Sequence, residues 1–108
     1  MAAGFSCRQR RKVAIPQPEL EALVRKTVLL FNRLRSPEAL TKIVRISPEI
    51  VTIAFSGSLC YECGDVEKYV QDFQKDFKVF VDFIELAAGK AKETTPRTFE
   101  VNFFVKIR

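Results

Sequence analysis

Five prolines, at positions 16, 18, 37, 48 and 96, punctuate this chain. Proline fixes φ and lacks a backbone N–H, so none of them can sit inside a helix or a central strand. The regular elements must lie between them. Val13-Ala14-Ile15, closed by Pro16 and Pro18, reads as a short strand. From Pro18 onward Leu20, Leu23, Val24, Val28, Phe31 and Leu34 recur at three- and four-residue spacing, which predicts an amphipathic helix over 18–35. Ser36-Pro37 stops it. Residues 39–46 are ambiguous in pattern, with a helical turn followed by a strand as one reading, and Ser47-Pro48 interrupts the chain again. Ile50 to Phe55 is a β-branched run ending at Ser56-Gly57, a strand. A second helix follows, with Cys63, Val66, Val70, Phe73 and Phe77 on one stripe, ending near Phe77. Residues 78–86 and 98–107 are two long aromatic and β-branched runs. Joined by 87–97, rich in small, basic and turn-forming residues, they predict an antiparallel hairpin with an extended, mobile tip.

The predicted order is therefore β-α-β-α-β-β. This is an α+β two-layer sandwich with a four-stranded mixed sheet, two helices and a long C-terminal hairpin. A length of 108 residues fits a single domain over 13–108 behind a basic N-terminal tail, 1–12. No apolar run approaches the ~20 residues of a membrane span, and the first twelve residues lack the apolar stretch of a signal peptide. A cytoplasmic protein is expected, with no membrane association. Histidine is absent, which excludes a Ser-His-Asp triad, a Cys-His pair and every histidine metal site. No enzyme is expected, and no cofactor.

The net charge is +5, and its layout is more informative than its total. Arg8, Arg10, Arg11 and Lys12 stand without an acid in the tail. Residues 60–85 are net −4 and residues 86–108 net +3. Basic ends around an acidic middle suit a polyanionic partner met by the termini. Lys90, Lys92 and Arg97 fall on the predicted hairpin tip, where Gly89 permits a turn and Thr94 and Thr95 can donate hydrogen bonds. Phosphate contacts of this kind give affinity without sequence reading.

Cys60 and Cys63 have the two-residue spacing of metal ligands and redox pairs, with Cys7 as a third thiol. A structural zinc site wants four ligands, and three cysteines without histidine do not supply them. A thiol at a helix N-terminus has a lowered pKa, but Glu62 and Asp65 oppose that effect, and free cysteine is commonly a buried packing residue. The aromatics do not form a base-stacking platform: Phe80, Phe83, Phe99, Phe103 and Phe104 lie in the predicted strands, where core packing explains most of them. Adjacent Phe103 and Phe104 must point to opposite faces, so one meets solvent or a second subunit.

Lys12-Val-Ala-Ile, the proline turn, the long helix, the strand running into Ser56-Gly57, the second helix and the two final strands together resemble the Alba family over residues 12–108. These are small basic nucleic-acid-binding proteins of archaeal chromatin and RNA-protein particles. The resemblance implies double-stranded DNA or structured RNA as partner, a homodimer or a heterodimer with a related subunit, nucleoid association, and hairpin contacts from Lys90, Lys92 and Arg97. The family's loop before the first helix holds a Lys pair, whereas this chain has Pro16-Gln17-Pro18, and the tail cations Arg8, Arg10, Arg11 and Lys12 stand in its place. The segment from Lys42 to Cys63 also resembles a NifU-like iron-sulfur scaffold, which would make Cys60 and Cys63 the ligands. A third reading is a plain protein-protein interaction module.

Overall fold

The computed structural model describes residues 16–57, 65–95 and 97–107. The first helix, α1, runs Gln17–Arg35. Pro16 stands at its N-cap, where its carbonyl accepts from the Glu19 and Leu20 amides. Pro18, in the first turn, removes an N–H that would lack a helical partner anyway. Leu20, Val24, Thr27 and Phe31 are the buried stripe, and Thr27 satisfies its hydroxyl on the Leu23 carbonyl at 2.8 Å. Leu34, on the predicted stripe, is instead exposed. The second helix, α2, is Asp65–Phe80, with Val66, Val70, Phe73, Asp76 and Phe77 buried.

Four strands, β1 (Ala39–Ile46), β2 (Ile50–Gly57), β3 (Ile84–Thr95) and β4 (Thr98–Ile107), form one sheet in the order β1-β2-β4-β3. Every pairing is antiparallel. The architecture is thus α+β with two helices and a four-stranded sheet, as expected, but the described sheet is antiparallel throughout and not mixed. Its outer strand beside β2 is β1, and the described order is α-β-β-α-β-β. Residues 13–15, the expected first strand, lie outside the described residues.

The physical reason is the link between Pro37 and Pro48. Residues 39–46 alternate, with Ala39 and Thr41 buried and Leu40 and Lys42 exposed, and they form a strand from the start, without a helical turn. The short Ser47–Glu49 connection turns the chain straight back on itself, and a link that short permits only antiparallel pairing. The Ser47 hydroxyl accepts from the Ile50 amide at 3.1 Å and fixes the turn. At the far end of this hairpin Gly57 has φ +123°, and a Cβ there would stand against the Glu38 carbonyl.

Two further boundaries differ from expectation. Residues 78–80 continue α2, and β3 starts only at Ile84. The four-residue spacing of Phe73, Phe77 and Val81, all buried, continues the helical stripe through a run whose composition looks β-like. Consequently Phe80 ends a helix and Phe83 lies in the connector, both partly exposed. Residues 87–95 are strand, since Leu86 and Ala91 keep their partners Val105 and Val101 across a bulge.

The core lies between the helices and one face of the sheet. Phe31, Phe73, Phe55 and Phe103, one each from α1, α2, β2 and β4, form its centre. Phe31 and Phe55 meet edge to face at 5.8 Å, Phe55 and Phe73 at 5.9 Å, and Phe73 and Phe103 stack at 5.4 Å. Each buried phenylalanine contributes about 1.5–3 kcal/mol. The helices are pinned at one point. Arg35 donates to Asp76 at 2.8 Å and to Asp72 at 3.4 Å, with its guanidinium 4.3 Å over the Phe31 ring.

Candidate nucleic-acid interface

The second face of the sheet is covered by no element among the described residues. Phe103 is fully buried in the core while its neighbour Phe104 is 45% exposed on this open face. Register places the other residues beside it. Thr52 stands opposite Asn102 and donates its hydroxyl to the side-chain Oδ1 of Asn102 at 2.6 Å. Arg45 is opposite Thr52, Lys42 opposite Ala54, Lys92 opposite Glu100 and Lys106 opposite Glu85, and each pair shares a face.

The three hairpin cations occupy three different settings, not a projecting tip. Thr95 pairs with Thr98, and Thr98 pairs with Ser56, so the turn is level with the end of β2. The hairpin ends flush with the sheet because Phe99, Val101 and Phe103 face the core and hold β4 against β2 along its length. Arg97 is exposed in that turn. Lys92 is exposed on the open face. Lys90 sits at the bulge where Gly89 and Lys90 together oppose Asn102, and it lines a cavity with Val66 and Val70 of α2. Lys90 and Lys92 therefore serve different surfaces.

Two cations that sequence reasoning missed lie on the open face. Lys42 was legible as the polar position between Thr41 and Ile43. Arg45 was not, because the register shift between Ile43 and Arg45 moves it onto the face where strict alternation would put Val44. Between β1 and the hairpin runs a shallow trough of about 530 Å³ lined by the small residues Ala54, Ser56 and Thr98, by Ile43 and Val44 of β1, and by Lys42 and Glu100. Among the described residues no ion pair engages Lys42, Arg45, Lys92, Arg97 or Lys106.

Phe104 is a packing residue here. A Cβ on Gly89 would come within 3.1 Å of both the Phe104 ring and the Asn102 carbonyl, so the ring fills the space the glycine leaves at the bulge. A lone aromatic in this position does not make a stacking platform.

The tail cations Arg8, Arg10, Arg11 and Lys12, and the thiols Cys7, Cys60 and Cys63, lie outside the described residues. Among the described residues no group of three or more acids or thiols is placed to hold a metal ion, and no helix is long and apolar enough to cross a membrane. The chain matches no family model, no curated protein and no solved structure.

Proposed function

We propose that this protein binds nucleic acid through the phosphate backbone, on the open face of its sheet, without catalysis and with little sequence preference. The observation that supports this most is the uncovered face itself. Lys42 and Arg45 stand on one edge strand, Lys92 on the other, Lys106 beside it and Arg97 at the turn, around a trough lined in part by small residues. Of these cations Lys42 lines the trough, whose wall also holds Glu100, and the others stand around it, so a polyanion laid on the face meets positive charge from both edge strands. Thr98 and Ser56 supply hydroxyls in the trough for phosphate or sugar oxygens.

The cross-strand acids temper this field without cancelling it. Lys92 faces Glu100 and Lys106 faces Glu85, but exposed opposed charges are worth about 0–1 kcal/mol, so a phosphate competes with the carboxylate. Lys42 and Arg45 face the uncharged Ala54 and Thr52. They are proposed as the principal anchors. A hairpin flush with the sheet does not enter a B-DNA major groove, whereas a broad face meets the wide, shallow minor groove of A-form RNA. Structured RNA is therefore the favoured partner, with the tail cations adding phosphate contacts. The Alba resemblance supports the same class of function through the second helix and the final hairpin, and the β1–β2 hairpin is the departure from it.

A salt titration of affinity for an RNA duplex tests the proposal. With about four phosphate contacts the slope of log affinity against log salt is roughly −3.6 if the duplex value of about −0.9 per contact applies. Absence of binding at low salt overturns it.

A further inference from the structure

On the opposite side of the hairpin, β3 is the free edge of the sheet, and α2 runs alongside it. Two cavities of about 390 and 220 Å³ lie between them and share Gln71 and Gln74 in their walls, so they form one continuous groove. Its character changes along its length. At one end Val66 and Val70 of α2 face the small residues Ala88, Gly89 and Ala91 of β3, with Glu67 and Lys90, one charge of each sign, also in the wall. At the other, Lys75 and Lys78 flank Glu85 and Leu86.

Among the described residues no other strand closes the strand edge within the groove. Gln74 donates its side-chain amide to the Leu86 carbonyl at 2.7 Å, which shows that this carbonyl points away from β4 and into the groove. Backbone groups of a strand alternate in direction, so Ala88, two residues on, presents its N–H and carbonyl the same way. A groove bounded by a helix and a strand edge with outward backbone groups is the geometry that accepts an extended peptide as an added strand.

We propose that this groove binds an extended peptide segment of a partner protein, antiparallel to β3, with aliphatic side chains first and acidic side chains after them. For an antiparallel strand the order of side chains follows from the lining. An added antiparallel strand enters beside Ala91 and leaves beside Glu85, so its earlier residues meet Val66 and Val70 and its later ones meet Lys75 and Lys78. Two lysines against the one acid at that end select for carboxylates. Small residues on β3 let the peptide backbone approach, and Gln74 holds the Leu86 carbonyl until an incoming N–H replaces it. Glu85 borders both this groove and the open face, but the lysines of the groove are not the cations of the open face, so the two proposals are tested separately.

The test is an NMR titration of the full chain, amide-labelled, with an acetylated eight-residue peptide that carries two valines and then two glutamates at alternate positions, threonine between them. Saturable shifts are expected at the Ala88, Gly89 and Ala91 amides and at the Gln71 and Gln74 side chains. Lys75→Glu/Lys78→Glu should weaken binding at least about tenfold, the loss expected when charge-assisted contacts become repulsive. Lys42→Glu/Arg45→Glu should leave it unchanged. The proposal is overturned if the peptide produces no shift at millimolar concentration, if the shifts map to the open face, or if the Lys75→Glu/Lys78→Glu protein binds equally well while retaining its native spectrum.

Discussion

Asn32 pairs with Thr41 as a neighbouring strand would. The Thr41 amide donates to Asn32 Oδ1 at 2.7 Å, Asn32 Nδ2 donates to the Thr41 carbonyl at 3.1 Å, and the Thr41 hydroxyl donates to the same Oδ1 at 3.0 Å. One side chain of α1 thereby satisfies the outward backbone groups of β1 at a buried point on the edge of the sheet. Gln17 does the same for the Ile46 carbonyl at 3.2 Å. Amides from the helix in this way occupy an edge that would otherwise invite another strand.

Replacing Asn32 with Leu should therefore destabilise more than a surface change does. It removes three hydrogen bonds and leaves the Thr41 amide and carbonyl unsatisfied, at about 1–3 kcal/mol for each buried group. Chemical denaturation should show a loss of at least about 2 kcal/mol, with Asn32→Asp intermediate because it keeps the acceptor.

Gly57→Ala should be among the most damaging single-methyl additions. At φ +123° an L side chain is strained, and the added Cβ meets the Glu38 backbone, which cannot swing aside as a side chain would. A loss of about 2–3 kcal/mol is expected from the conformation alone. An unchanged thermal midpoint would contradict the β1–β2 register.

Arg35 ties α1 to α2, and its removal leaves carboxylates behind. Arg35→Met should cost about 3 kcal/mol, because Asp76 would remain buried without its partner. The double variant Arg35→Met/Asp76→Leu should recover part of that loss, since an apolar pair of similar volume replaces a buried ion pair at little cost. Thermal unfolding of the three proteins measures the difference, and equal stability of single and double variants would show that Asp76 does not depend on Arg35.

Much of this architecture is legible in the chain. The helix over 17–35 follows from its stripe between Pro18 and Pro37, and the strand over 98–107 from the alternation of Phe99, Val101 and Phe103. The buried Phe31 and Phe73 are where periodicity puts them. The misreadings share one cause, which is that composition and period disagree. Val79 and Phe80 look like strand residues and continue a helix, because tertiary packing of Phe77 and Val81 decides the matter. Ala87 to Thr95 look like a loop and form a strand, because β4 beside them offers a full ladder of partners. Of the candidate site, Lys92 and Arg97 are singled out by charge, and both are exposed. Arg45 depends on a bulge, and the groove beside β3 depends on how α2 packs against the strand that follows it, which no local pattern announces.

The open face is tested most directly by the four-site variant Lys42→Ala/Arg45→Ala/Lys92→Ala/Arg97→Ala, assayed against the same RNA duplex over a range of salt. All four side chains are exposed and none is within ion-pair distance of an acid among the described residues, Lys92 only facing Glu100 across the strands, so thermal stability should hold within about 0.5 kcal/mol. If each cation makes one phosphate contact, the salt slope should fall by about 3.6 and affinity should drop steeply at low salt. Unchanged affinity and an unchanged slope in a folded variant would contradict the assignment of nucleic-acid binding to this face.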